Sequence, residues 1–381
     1  MRIFFDGRVL INTGVFSGIS EYARILLGNL LENDSKNEYI IFLNSFRKNL
    51  EISKQFSSNR SKTINYHIPN RLLDITSNLL NFPAIDKTVK ADVFYSPHLN
   101  ILSFKNPKRR VLTIHDLSFM YFPKFFSVAQ KLWHMRQSYE SQIKSAGKII
   151  AVSDFTAWNI AETFNIPKEN IKRIYSGINP IYKIIPKNNE ELKKFSYSKG
   201  LNNPFLLYLG ALEPRKNIIG VIKAFNLLKT KTRFGDLKLV IAGGKGWLYD
   251  KIFKEAATSS YKKDILFWGK ASPKEALYLY NLASVFVYPS FFEGFGFPPL
   301  EAQACGLPVV ASNRSSLPEI LGNSALLSDP YKTDELAMGI ETVLVDTAMR
   351  EELKDKGLEN IKRFSWKNTA QELIKIFNEY A

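Results

Sequence analysis

The sequence predicts an α/β protein of two doubly wound domains, each a parallel sheet covered by helices. Short runs rich in β-branched and aromatic residues alternate with longer stretches of helical spacing, and this alternation occurs twice along the chain. A polar stretch without a clear strand, Tyr182 to Asn203, separates the two series. A length of 381 residues suits two or three domains, and 45% hydrophobic residues let each half bury a core.

In the first half the strand-like runs are Arg2 to Asp6, Glu38 to Leu43, Ile64 to Ile68, Val93 to Ser96, Val111 to His115, Lys148 to Val152 and Ile171 to Tyr175. The second half continues with Phe205 to Leu209, Leu237 to Ala242, Ile265 to Trp268, Ser284 to Tyr288, Pro308 to Ala311 and Ala325 to Leu327. The expected division is a first domain over residues 1–180, a linker over 181–202 and a second domain over 203–365. Residues 366–381 form a closing segment, where Trp366 to Tyr380 carries apolar residues at helical spacing. No internal repeat or low-complexity tract interrupts this plan.

The lone cysteine, Cys305, excludes an internal disulfide framework and a cysteine-based metal cluster, which fits a reducing compartment. The four histidines, His67, His98, His115 and His134, lie in separate segments without zinc spacing, so no metal site is expected. The N-terminal run carries charges and lacks a cleavage signature, and no stretch has about 18 uninterrupted apolar residues. A cytoplasmic location is expected. The net charge of +16 is uneven: +10 in residues 1–180, +3 in 181–202 and +3 in the remainder. A basic first half attracts nucleic acid, anionic lipid or phosphorylated substrates about equally.

The most informative stretch is Glu293-Gly-Phe-Gly-Phe-Pro-Pro-Leu-Glu301, directly after an apolar run. Prolines suit the first positions of a helix, so a helix should begin near Pro298. Gly306 and Pro308 should end it early. Gly294, Phe295, Gly296 and Phe297 would then present backbone N–H groups above a helix start, where an anion such as a diphosphate is favoured. Glu293 and Glu301 repel phosphate and serve better as acceptors for sugar hydroxyls. A plain strand-turn-helix with solubilising glutamates fits the spacing equally well.

Other loops after strands are candidates because ligands gather at the carboxyl ends of doubly wound sheets. Gly210-Ala-Leu-Glu-Pro-Arg215-Lys216 offers two adjacent cations, which would clamp a diphosphate and which sit poorly at a helix start without a function. Thr13 to Ser20, with Gly14 and Gly18, lacks P-loop and dinucleotide spacing, and turn chemistry explains it equally well. Gly243-Gly-Lys-Gly-Trp247 reads more simply as a tight turn than as a phosphate loop. His115 stands at a strand tip, where a lone histidine is more often structural. Lys105 to Arg110 and Tyr121 to Arg136 mix basic and aromatic residues, which suits a membrane interface as well as an ordinary amphipathic helix.

Ser290 to Ser312, which contains both glutamates, resembles the signature of the family 4 retaining glycosyltransferases of GT-B fold. Gly210 to Asn217, Gly243 to Trp247 and Ser315-Ser-Leu-Pro-Glu319 follow in that family's order. The resemblance implies two Rossmann-like domains facing each other across a cleft, with the last helix crossing back to the first. It implies a hexosyl transfer from a nucleotide diphosphate sugar to a saccharide or lipid-linked acceptor, without a metal or other cofactor. It further implies catalytic roles for Glu293, Arg215, Lys216 and His115, the last beside the transferred sugar. Donor contacts would come from Gly210, Gly294, Phe295, Gly296, Phe297 and Glu301, with Gly269 and Lys270 near the base. The loop with Gly14 and Gly18 would lie between donor and acceptor. The subgroup most resembled contains mannosyltransferases of surface polysaccharide and lipopolysaccharide assembly, so GDP-mannose is the leading donor and peripheral contact with an anionic membrane is expected. Phe297 departs from the smaller aliphatic residue usual there.

Three other classes compete at this point: a sugar-nucleotide epimerase of the same fold, a phosphorylase carrying pyridoxal phosphate on lysine, and a non-catalytic nucleic-acid binder. The Arg215-Lys216 and Glu293 to Glu301 set argues against the first, and no aromatic-basic nucleic-acid module supports the last.

Overall fold

The computed structural model describes residues 1–11, 18–45 and 50–381. All thirteen expected strands form, in two sheets. The first contains β1 (Arg2–Asp6), β2 (Glu38–Leu43), β3 (Ser61–Asn65), β4 (Val93–Ser96), β5 (Arg110–Ile114), β6 (Lys148–Ala151) and β7 (Ile171–Arg173). Their order is β3-β2-β1-β4-β5-β6-β7, with every pair parallel. The second contains β8 (Phe205–Leu209), β9 (Lys238–Ala242), β10 (Ile265–Gly269), β11 (Val285–Tyr288), β12 (Val309–Ser312) and β13 (Leu326–Ser328). Their order is β10-β9-β8-β11-β12-β13, again all parallel.

Central strands such as β4, β5, β11 and β12 are buried along their whole length, as a sheet covered on both faces requires. The strand order reverses direction between β1 and β4 in one sheet and between β8 and β11 in the other. These are the switch points where a doubly wound sheet opens a crevice at its carboxyl edge.

The third strand lies three residues earlier than the sequence predicts. Ser61 pairs with Tyr39, whereas His67 turns to a positive φ of 55° and the Ile68 amide leaves the ladder for the Asn44 side chain. The apolar residues of Ile64 to Ile68 belong partly to the strand and partly to packing beyond it: Ile64, Tyr66 and Ile68 rest on the core around Phe4, Phe42 and Phe94.

The chain divides into two compact units. The first comprises Met1–Tyr121, Val128–Gly177 and Phe364–Ala381; the second comprises Phe122–Ser127 and Ile178–Arg363. The stretch expected as a linker, 181–202, is therefore part of the second unit. It carries a helix, Glu190–Ser198, capped by the Asn189 side chain on the Leu192 amide at 2.9 Å. Its Lys- and Glu-rich composition hides an apolar side: Leu192 is buried, and Phe195 packs on Trp268 and Tyr278.

The last helix, Trp366–Asn378, belongs to the first unit. Ala370, Leu373 and Phe377 are fully buried, Trp366 packs edge-on against Tyr22 and Phe377 against Tyr95. Gly177 has no room for a side chain there, since a Cβ would stand 2.2 Å from the Trp366 amide nitrogen.

Phe122–Ser127, by contrast, packs within the second unit. Phe125 stacks on Phe291, Phe126 stacks on Trp247 with ring centroids 5.5 Å apart, and the Trp247 indole N–H donates to the Phe125 carbonyl. The amphipathic pattern of Tyr121 to Arg136 is thus divided between the units.

Candidate active site

In the second unit, β8 and β11 are hydrogen-bonded neighbours, so the loops leaving their carboxyl ends meet. After β8 the chain passes Gly210 and enters a short 3-10 turn, Pro214–Lys216, that ends in Asn217 at a φ of 55°. Asn217 then caps the helix Ile218–Lys229. After β11 the loop runs to Gly296, whose φ of 102° favours glycine, and into the helix Phe297–Ala304 with prolines in its first turn. The expected start near Pro298 and the stop before Gly306 are both present.

The two loops are joined by charge. Lys216 Nζ lies 2.6 Å from Glu293 Oε1 and donates also to the Tyr288 hydroxyl at 2.8 Å. Arg215 Nη1 lies 3.2 Å from Glu293 Oε2 and donates to the Phe292 carbonyl at 2.7 Å, while its Nη2 contacts Glu213 Oε1 at 2.7 Å. All four charged side chains are about nine-tenths buried. Burial alone would raise the Glu293 carboxyl, but Lys216 and Arg215 outweigh it and hold its pKa at about 2. The cluster is two cations against two carboxylates, so the clamp is already neutralised by its own neighbours.

Glu213 is the member that the sequence reading missed. Its signal was the alternation Glu213-Pro-Arg215, which lets a carboxylate fold back on the guanidinium two residues later.

The glutamate loop is pinned from below. The Glu293 amide donates to Ser315 Oγ at 2.9 Å, and Ser316 Oγ donates to the carbonyls of Glu293 and Phe295 at 3.0 and 3.1 Å. Gly294, Phe295 and Gly296 are buried and Phe297 is half-buried, directly before and at the start of the helix Phe297–Ala304. Glu301 sits in the helix and accepts from the Tyr280 hydroxyl at 2.9 Å.

Gly243 to Trp247 runs alongside the loop after β8, with Lys245 in a parallel bridge to Leu212. The Leu212 amide donates to the Gly244 carbonyl, the Gly246 amide donates to the Leu212 carbonyl, and a Cβ at Gly243 would fall 1.8 Å from the Gly210 carbonyl oxygen. Gly269 bonds through its carbonyl to the Gly243 amide, and Lys270 is exposed just beyond the edge strand β10.

In the first unit His115 follows β5 directly and is half-buried, with Tyr22 edge-on at a centroid distance of 4.6 Å. Gly18 begins the helix Gly18–Asn33 and is exposed; Gly14 lies outside the described residues. The basic run Lys105 to Arg110 is not a uniform surface patch. Arg110 is buried, bonded to Ser96 and Gln142, and Arg109 donates to the Asp92 carbonyl. Among the described residues no group of three His, Cys, Asp or Glu is placed to hold a metal ion.

Comparison with known proteins identifies the family. Residues 17–181 match the model of Glycosyltransferase Family 4, and residues 189–360 match that of Glycosyl transferases group 1. The O-antigen chain mannosyltransferase B of Escherichia coli is 35% identical over 288 residues, which cover 74% of this chain and 72% of that one.

The chain is a family 4 glycosyltransferase.

The glycosyltransferase shares its fold with solved structures of low sequence identity. Sucrose-phosphate synthase from Thermosynechococcus elongatus superposes with a TM-score of 0.77 at 19% identity, covering 100% of this chain and 98% of that one. The serotype-specific mannosyltransferase WbdA of Escherichia coli is 30% identical over 238 residues, 62% of this chain, but the match spans only 29% of WbdA. Family membership also counts against the epimerase reading of this glycosyltransferase. No described helix of this glycosyltransferase is long and apolar enough to cross a membrane.

Proposed function

We propose that this glycosyltransferase moves a hexosyl group, mannose from GDP-mannose as leading donor, onto a saccharide or lipid-linked saccharide in surface polysaccharide assembly. The observation that carries the reading is the Glu293–Arg215–Lys216 cluster at the switch point of the second sheet. The names of the matched relatives support the sugar and the pathway. The nucleotide sugar binds the second unit and the acceptor the first.

When the donor diphosphate enters, Arg215 and Lys216 turn part of their hydrogen bonding from Glu293 to the phosphoryl oxygens. Their charges then stabilise the departing nucleotide diphosphate, which is where negative charge grows in the transition state. Glu293, freed in part, accepts a hydroxyl of the hexose and fixes its face. Transfer retains the anomeric configuration: the leaving phosphate oxygen takes the proton of the incoming hydroxyl on the same face, so no protein nucleophile is needed. No metal cofactor is required in this scheme, because the two side-chain cations supply the counter-charge.

We further infer a peripheral contact with anionic membrane through the helices Asn70–Leu79 and Val128–Arg136 of the first unit. They lie side by side, with Asn78 donating to the Arg136 carbonyl, and they expose Leu72, Ile75, Leu79, Leu132 and Met135. Arg71, Lys131 and Arg136 are exposed on the same helices.

The deciding experiment is a transfer assay with GDP-, UDP-, ADP- and dTDP-hexoses in chelator, together with thermal shift for each nucleotide sugar. Selective stabilisation and turnover with GDP-mannose is the expected result. Selective use of another nucleotide would replace the donor; stabilisation by none would remove the donor-site assignment.

A further inference from the structure

The Lys216 ammonium has three protons to donate and, among the described residues, two acceptors for them: Glu293 Oε1 at 2.6 Å and the Tyr288 hydroxyl at 2.8 Å. An ammonium bonded once turns freely about its Cε–Nζ axis, whereas one bonded twice has the direction of its third N–H set. Tyr288 therefore decides where the remaining proton of Lys216 points.

Of the two acceptors, the phenol is the one held still. Glu293 stands on a loop and shares its carboxylate with Arg215 at 3.2 Å. Tyr288 ends β11, where its backbone pairs with Ala311 of β12 and its side chain is buried. Its ring stacks on Phe286 at a centroid distance of 5.8 Å and on Tyr208 at 6.0 Å. Tyr208 is anchored in turn by its hydroxyl, which donates to the Ala211 carbonyl at 3.1 Å. The loop closes over this pair at Gly210, where a Cβ would lie 2.9 Å from the Tyr208 hydroxyl. Burial, with Glu293 nearby, holds the Tyr288 phenol far above its ordinary pKa. Near pH 7 the hydroxyl thus stays neutral and offers Lys216 a lone pair without a competing charge.

We propose that Tyr288 is a positioning residue for nucleotide diphosphate binding: its hydroxyl aims the Lys216 ammonium and retains it when Glu293 gives up part of its share. This rests on the reading that Lys216 binds the donor diphosphate. A phenylalanine of the same shape would leave Lys216 with Glu293 as its single partner, so the cation would swing onto the carboxylate and away from the phosphoryl oxygens.

A double-mutant cycle on the full chain tests this, read by calorimetric binding of GDP, UDP, ADP and dTDP and of the matching monophosphates. Tyr288→Phe keeps the ring and its stacking, and Lys216→Met keeps the stem while removing the charge. For the diphosphate that the parent binds, Tyr288→Phe should weaken affinity about tenfold, the effect of one misdirected charge-assisted bond, and change the monophosphate by less than about twofold. In the Lys216→Met background the same substitution should change diphosphate affinity by less than about twofold.

Unchanged diphosphate affinity in Tyr288→Phe overturns the proposal. An equal loss for diphosphate and monophosphate, or an equal loss with and without Lys216, also overturns it, since Tyr288 then acts through packing alone. Parent-like diphosphate affinity in Lys216→Met overturns instead the underlying reading that Lys216 binds the diphosphate, and the proposal falls with it; a parent that binds none of the four diphosphates does the same to the donor site as a whole.

Discussion

Lys216 and Glu293, 77 positions apart in sequence, form a buried ion pair of 2.6 Å that joins the loops after two neighbouring strands. Breaking a buried pair leaves an uncompensated charge, which costs about 3–5 kcal/mol.

Glu293→Ala, Arg215→Ala and Lys216→Ala should therefore each lose most transfer activity and also melt at lower temperature than the parent. Glu293→Gln separates the two effects: it keeps the shape and a hydrogen-bond acceptor, so it should recover stability better than activity. Thermal melting beside kcat/KM for the four variants reads this. Wild-type turnover in the three alanine variants would remove the cluster from the chemistry.

Glu213→Gln tests the residue that orients Arg215. The guanidinium loses a charged partner at 2.7 Å but keeps Glu293 and the Phe292 carbonyl. Turnover should fall about tenfold, the effect of a displaced charge-assisted bond, with nucleotide sugar binding weakened in step.

Acid stability should show two separable losses. His115 is held below its ordinary value near 6.5, at about 4, so the folded state resists its protonation. Its contribution is complete above pH 6.5 and declines as pH falls towards 4. Glu293 is held below its ordinary 4.5, at about 2, so its contribution is complete above pH 4.5 and declines towards 2. Urea unfolding against pH should flatten between 6.5 and 4 in His115→Gln, and between 4.5 and 2 in Glu293→Gln.

Trp247→Ala should loosen the segment Phe122–Ser127, because it removes a stacking partner of Phe126 and the donor to the Phe125 carbonyl. Chymotrypsin should then cut at Phe122, Phe125 or Phe126 several-fold faster, and Trp247→Phe should restore much of the protection. Equal cutting rates in parent and alanine variant would refute this role.

Leu132→Glu with Met135→Glu should abolish co-sedimentation with vesicles containing phosphatidylglycerol while leaving the melting temperature within about 2 °C, since both side chains are at least half exposed. Unchanged sedimentation would exclude this helix as the membrane contact.

Much of this was legible in sequence, for identifiable reasons. Buried parallel strands announce themselves as short apolar runs, and the helix after Gly296 announced itself through two prolines and a later glycine. Side-chain partnership was not legible. Arg215 and Lys216 read as an open anion clamp because nothing in linear order places Glu293 on them 77 and 78 residues later. The helix Glu190–Ser198 read as a linker because only Leu192 and Phe195 supply its packing side. Phe122, Phe125 and Phe126 fall in Tyr121 to Arg136, whose mix of basic and aromatic residues suited a membrane interface as well as an amphipathic helix, whereas a 3-10 turn at Pro123–Phe125 sets them apart from the helix that follows.

The first unit is assembled from segments on both sides of the second unit in sequence, with the helix Trp366–Asn378 filling its core, while the second unit closes at Arg363. On a ribosome, which delivers the chain from its amino end, the order of maturation is therefore inverted. The half synthesised first waits with an open hydrophobic seam along Tyr22 and Tyr95 until the helix Trp366–Asn378 emerges, and the half synthesised second is finished before it. Chains stalled between Arg363 and the helix Trp366–Asn378 would thus carry a finished second unit and an unsealed first one, exposing them to chaperones and proteases at the first unit.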